Sequence, residues 1–204
     1  MKKIKLVVLI LTFVVICGCD GVRTSIDSGS ELNRSSAYIY GHFYNQSKGG
    51  NFNLSLRIEN MNLNNLREKP ILLQFSHAQE LSVIEIAPGT YDINSLQIPG
   101  KYLFGGSRFP TSQVFRGLGP VKITLEPGKA YYLGDFTGKV SVNCSRTLCR
   151  YRWGLSKFSA SYAISSAKFN AEYLNLKGLQ KVNLFLDIAM QVKSAMSLKV
   201  RRNR

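Results

Sequence analysis

The chain has 204 residues, with 27 Lys and Arg against 12 Asp and Glu, a formal net charge of +15. That length suits one domain with a real core, or one domain plus an appendage.

Residues 1–18 read as an export signal. Lys2, Lys3 and Lys5 form a positive head, Leu6 to Ile16 is apolar apart from Thr12, and Gly18 is small. The apolar core is short of the ~20 residues a membrane-spanning helix needs. The end of this segment, Ile16-Cys17-Gly18-Cys19, resembles the lipobox of bacterial lipoproteins. The resemblance implies that Cys19 carries a diacylglycerol thioether and becomes the acylated amino terminus. Cys17 is then discarded with the signal. Several acyl chains on one residue anchor stably where one is marginal. The chain is therefore expected at the bacterial cell envelope, facing the periplasm. Asp20 resembles the enterobacterial signal for retention in the inner membrane.

Removal of the signal drops three lysines and lowers the charge from +15 to +12. An exported basic protein meets anionic lipid heads and acidic polymers, and no nucleic acid. The bases are scattered along the chain, which also suits plain solubility. Residues 19–36 are rich in Ser, Gly, Asp and Asn, which predicts a lipidated flexible tether.

From residue 37 the pattern is β. AYIYGHFYN at 37–45 is aromatic and branched, and NFNLSLRIEN at 51–60 alternates cleanly. The intervening QSKGG predicts a hairpin between them. ILLQF at 71–75 is a further strand. LSVIEIAPGTYDI at 81–93 and VKITLEPGKAYYLGDF at 121–136 share one plan: alternating apolar residues, Pro-Gly, then a Tyr-bearing strand. Proline fixes one turn dihedral and glycine accepts a positive one, so Pro88-Gly89 and Pro127-Gly128 turn the chain. Across about 37–143 this plan is similar to transthyretin-like and carboxypeptidase-regulatory-like β-sandwiches, and to β-sandwich lipoproteins of unknown function. The resemblance implies a mainly β fold, an antiparallel β-sandwich of about seven strands over 37–158. Many such relatives bind partners or carbohydrate, but fold alone does not license function.

With Cys19 lipidated, Cys144 and Cys149 remain, and an oxidising compartment favours a local disulfide between them. Val140 and Val142 before, and Tyr151 and Trp153 after, alternate with polar residues. The bridge is thus expected to close a hairpin tip, CSRTLC. Four intervening residues argue against a redox pair, and without a histidine cluster they make no metal site. Arg146, Arg150 and Arg152 lie close to Trp153, a combination that can recognise an acidic polymer or glycan. The same residues also suit a solvated strand over a core tryptophan.

The last part, 159–204, turns helical. A short helix is expected near 166–176, ended by Gly178, and a longer one at 179–198 with Val182, Phe185, Leu186, Ala189 and Met190 on one face. Lys193, Lys199, Arg201, Arg202 and Arg204 form a basic tail suited to the helix dipole or an anionic bilayer. No nucleophile elbow, zinc-protease motif or phosphate loop occurs, and no cofactor is implied. His42 and His77 lie in or just past strands, and a hydrolase built from Ser76, His77 and an acid has no spacing in its favour. The leading expectation is a non-catalytic, lipid-anchored accessory protein with an envelope protein partner. A polymer- or glycan-binding module comes second, and an envelope hydrolase third.

Overall fold

A computed structural model describes the backbone of residues 21–46, 52–61, 70–97, 121–144 and 149–191, and the side chains among them except at 96–97 and 140–158. The elements are β1 (Gly21–Arg23), β2 (Ala37–Asn45), β3 (Leu54–Asn60), β4 (Ile71–Phe75), β5 (Ser82–Ile86), β6 (Gly89–Gln97), β7 (Val121–Leu125), β8 (Lys129–Cys144), β9 (Cys149–Ser159), α1 (Tyr162–Glu172), a 3-10 turn (Leu174–Leu176) and β10 (Gln180–Asn183). Helix α2 follows at 184–191.

The protein is mainly β, with two sheets and C-terminal helices. One sheet runs β1-β4-β3-β6-β7, the other β10-β8-β2-β5, with β9 also paired to β8. Pairing is mixed, and not wholly antiparallel as the sequence resemblance led one to expect: β1 with β4, β2 with β8 and β10 with β8 are parallel, and the remaining pairs are antiparallel. One apolar cluster draws on both sheets. Leu56, Ile58, Phe75 and Ile123 come from the first, Ile39, Phe43, Ile84 and Phe136 from the second. The Pro-Gly steps carry the chain between sheets, β5 to β6 and β7 to β8. Gly128 has φ +69, which a residue with a Cβ rarely adopts.

Three further expectations are corrected. First, β2 and β3 do not form a hairpin. β2 pairs with β5 and β8, and β3 pairs with β4 and β6. The buried faces of both strands satisfied the local pattern, but their partners lie elsewhere in sequence. Second, residues 21–36 are docked on the body rather than a free tether. β1 adds to β4, Ile26 N–H donates to Val83 O at 2.8 Å, and Val83 N–H donates to Ser25 Oγ at 2.9 Å. These bonds cover the outer edge of β5, a common way of blunting an exposed strand.

Third, the expected helix at 179–198 begins as a strand. Residues 180–183 add to β8 in parallel register, from Gln180 opposite Lys129 to Asn183 opposite Tyr132. Asn183 then starts α2, its Oδ1 accepting the Phe185 N–H at 3.2 Å, as an N-cap residue does. The late start changes the buried face: Leu184 and Ile188 enter the core, while Leu186 and Met190 stay exposed. The shorter expected helix lies earlier, at 162–172. The Gln191 amide completes α2 by pairing the edge strand β7, accepting from Lys122 N–H at 2.9 Å and donating to Lys122 O at 2.8 Å.

Candidate functional site

Strand β2 explains the site. Its odd residues Ala37, Ile39 and Phe43 enter the shared core. Its even residues Tyr38, Tyr40, His42 and Tyr44 share the opposite face, because side chains alternate along a strand. Tyr38 and Tyr40, with Ala130 and Tyr132 of β8, are buried beneath Phe169, Tyr173 and Leu176. Helix α1 and the turn after it thus cover half of this face. The other half, bearing His42 and Tyr44, stays open.

Strand β8 would not match β2 without an irregularity. Tyr131 and Leu133 point into the shared core, and simple alternation would send Asp135 there too. The register shifts between Tyr40 and Gly41, so Tyr40 faces Tyr132 while Gly41 faces Gly134. Gly134 takes φ +128 at this bulge. Phe136 then enters the core, and Asp135 and Thr137 face outward beside His42 and Tyr44. A bulge that re-aims a side chain is a frequent feature beside binding sites. Close approach of the strands is part of the device: a Cβ on Gly41 would lie 2.5 Å from Gly134 O.

The result is an open cleft of about 780 Å³ that brings both histidines together, with Tyr44, Asp135, Ser159 and Ser161 on its walls. Register places His42 beside Asp135, and Asp135 beside Ser159 on β9. The Tyr44 ring lies on the His42 ring, centroids 3.6 Å apart, and remains 48% exposed. His77 is held by Asn53, whose Oδ1 lies 2.8 Å from Nδ1 and accepts the His77 backbone N–H at 3.1 Å. Asp135 is 4% exposed and accepts from Ser165 Oγ at 3.4 Å. Burial, opposed by the Ser161 N–H bond and reinforced by Asp135, pushes the Tyr132 phenol up to about 12. Outside the cleft mouth, Lys168 is paired with Glu80.

Burial holds the His42 imidazole below its ordinary value. The Asp135 carboxylate acts against this, Lys168 acts with it, and Glu80 acts against it. The folded state therefore binds fewer protons than the unfolded chain just below the ordinary histidine pKa of about 6.5. Stability from this residue is present above that value and is lost as pH falls towards the folded value. In a proton NMR titration His42 is expected to titrate below about 6.5, and lower still in Asp135→Asn. A His42 value at or above that of a free histidine would refute this electrostatic account.

The cleft was not legible in the sequence, which placed His42 within one strand and His77 just past another. Only the alternation of Tyr38, Tyr40, His42 and Tyr44 pointed to a shared face. Ser76 takes a local role, its Oγ accepting the Ala78 N–H at 3.1 Å. Of the other expected site residues, Cys19, Asp20 and Arg146 lie outside the described residues, as do Lys193, Lys199, Arg201, Arg202 and Arg204. The backbone register sets Cys144 opposite Cys149, Asn143 opposite Arg150, Ser141 opposite Arg152 and Val140 opposite Trp153. Opposed residues in such a pair have Cα atoms about 4.5 to 5.5 Å apart, within reach of a disulfide. β2 ends opposite Gly138, so β8 and β9 run on past it as a ribbon. Among the described residues no group of three or more His, Cys, Asp or Glu is placed to hold a metal, and no helix is long and apolar enough to cross a membrane. No protein-family model matches the chain, and no curated protein matches it significantly.

Proposed function

We propose that this chain is a bacterial lipoprotein anchored through Cys19, retained by Asp20 at the inner membrane and acting in the periplasm as a non-catalytic binding component with an envelope protein partner. Its two sheets then act as a sandwich-like scaffold, and Cys144 and Cys149 form a disulfide that fixes the ribbon tip. The observation that carries this reading is the docking of β1. A single residue, Asp20, separates Cys19 from the strand, a reach of about 7 Å. A lipid on Cys19 therefore holds the folded body against the bilayer, where a neighbouring membrane component is met repeatedly.

A second reading places an acidic polymer or glycan on the ribbon, through Arg146, Arg150, Arg152 and Trp153. The extension of β8 and β9 past the end of β2 favours it.

Cys19→Ala is expected to abolish metabolic labelling with palmitate and to move the protein from the membrane to the soluble fraction. Cross-linking in intact cells is expected to capture a discrete envelope protein with the lipidated chain and not with the variant. Unchanged membrane association and no label on the native chain would overturn the lipoprotein reading.

A further inference from the structure

The open half of the β2–β8–β9 face has a composition that narrows its ligand. We propose that it binds a neutral pyranose oligosaccharide, with the exposed ring of Tyr44 as the platform for one sugar face and His42, His77 and Ser159 as the hydrogen-bonding walls. This deepens the binding reading given above and rests on it.

Three observations carry the assignment. Tyr44 is 48% exposed on a strand whose other aromatic residues on that face, Tyr38 and Tyr40, are fully buried. Its ring is backed by His42 at 3.6 Å, so one face is held and the other is left to solvent. An aromatic face carries partial negative charge. The axial C–H groups of a pyranose ring carry partial positive charge, so the two surfaces match in shape and sign.

The second observation is the charge of the lining. Among the described residues that line the cleft there is neither lysine nor arginine, and the carboxylate is Asp135. Lys168, whose charge acts on His42, is committed to Glu80. Burial favours the neutral form of His42. The described lining thus presents a carboxylate and neutral polar groups, a surface better matched to an uncharged sugar than to an anion.

The third is the polarity of the remaining wall. Imidazoles and hydroxyls offer both donors and acceptors, which suits the mixed donor and acceptor pattern of sugar hydroxyls. The volume, about 780 Å³, lies within the range of small-ligand sites. A greasy ligand would leave these groups without partners, and a buried polar group left unpaired is costly. The bulge at Gly134 gives this composition its origin, since it turns Asp135 and Thr137 onto the same face as Tyr44.

The test is calorimetric titration of the full-length lipidated protein in detergent micelles with chitotetraose, cellotetraose and maltotetraose. At least one of the three is expected to bind saturably. Tyr44→Ala is expected to weaken that binding at least tenfold and Tyr44→Phe to preserve it. Leu174→Ala, which removes an exposed apolar side chain elsewhere, is expected to leave it unchanged. Tyr44 is half exposed, so its truncation leaves the fold intact, and an unaltered thermal midpoint checks this. Absence of saturable binding to all three sugars would overturn the proposal, as would equal binding by Tyr44→Ala. Continued capture of an envelope protein in that case leaves the anchored binding component standing without its sugar site. Loss of both removes the two together.

Discussion

Gly41→Ala is expected to destabilise the protein by about 3 kcal/mol, the upper end for forcing extra atoms into a packed interior. At this chain length that corresponds to a fall in thermal midpoint of about 8 °C. The added methyl carbon would sit 2.5 Å from Gly134 O, with the Phe75 ring behind it at 3.4 Å. The obstacle is backbone, so no side-chain rotation relieves it. β8 has to retreat from β2 at the point where the bulge sets Asp135 beside His42. Gly41→Ala is thus also expected to disturb the cleft, seen as displaced resonances of His42 and Tyr44. Gly178→Ala is the matched control, since a Cβ there meets nothing within 4 Å. Equal thermal midpoints for wild type and Gly41→Ala would show that the strands are not in close contact.

Phe169→Ala carries the second large effect. Phe169 is fully buried, its ring 4.9 Å from that of Tyr40 and 5.7 Å from that of Tyr173. Removing a buried phenylalanine costs about 3–5 kcal/mol, partly lost burial and partly the cavity left behind. Helix α1 buries only Ser165 and Phe169 fully, so this one side chain is its main apolar hold on the sheet. Hydrogen exchange is expected to accelerate first in Tyr162–Glu172 and in the Leu174–Leu176 turn, before the β3, β4 and β6 amides. Ile164→Ala, at 65% exposure on the same helix, is expected to change stability by less than about 0.5 kcal/mol. If both substitutions cost the same, α1 is not held by its aromatic contact.

These expectations rest on features of unequal visibility in the sequence. Strands β3, β4 and β7 were legible because each buries one face and alternates in place. The two Pro-Gly turns were legible because their chemistry is local. Helix α1 was legible as a helix, though displaced. Pairing was not: nothing in AYIYGHFYN states that its neighbours are Ser82–Ile86 and Lys129–Cys144 rather than the next strand along. The parallel pairs escaped for the same reason, because a parallel partner is never the adjacent strand of a hairpin. Val182 read as helical on the spacing of the apolar residues after it. The free edge of β8 claimed it as strand first, and tertiary pairing overrode the local pattern. The site was hidden most deeply. Its geometry depends on one inserted residue in β8, and Gly134 within YYLGDF carries no mark that separates a bulge glycine from any other.

The parallel pairing of β2 with β8 also governs how the chain can be assembled. A polypeptide made amino end first presents Tyr38 long before Ala130, and Val182 later still. β2 can pair with β5 first, but its hydrogen bonds to β8 wait for a distant segment, and β8 must wait again for β10. Topologies dominated by such distant contacts fold slowly, because the chain closes long loops before any contact rewards it. During that interval the apolar residues of β2 and the edge of β8 are open to other chains. The growing chain is accordingly exposed to mispairing until β10 arrives.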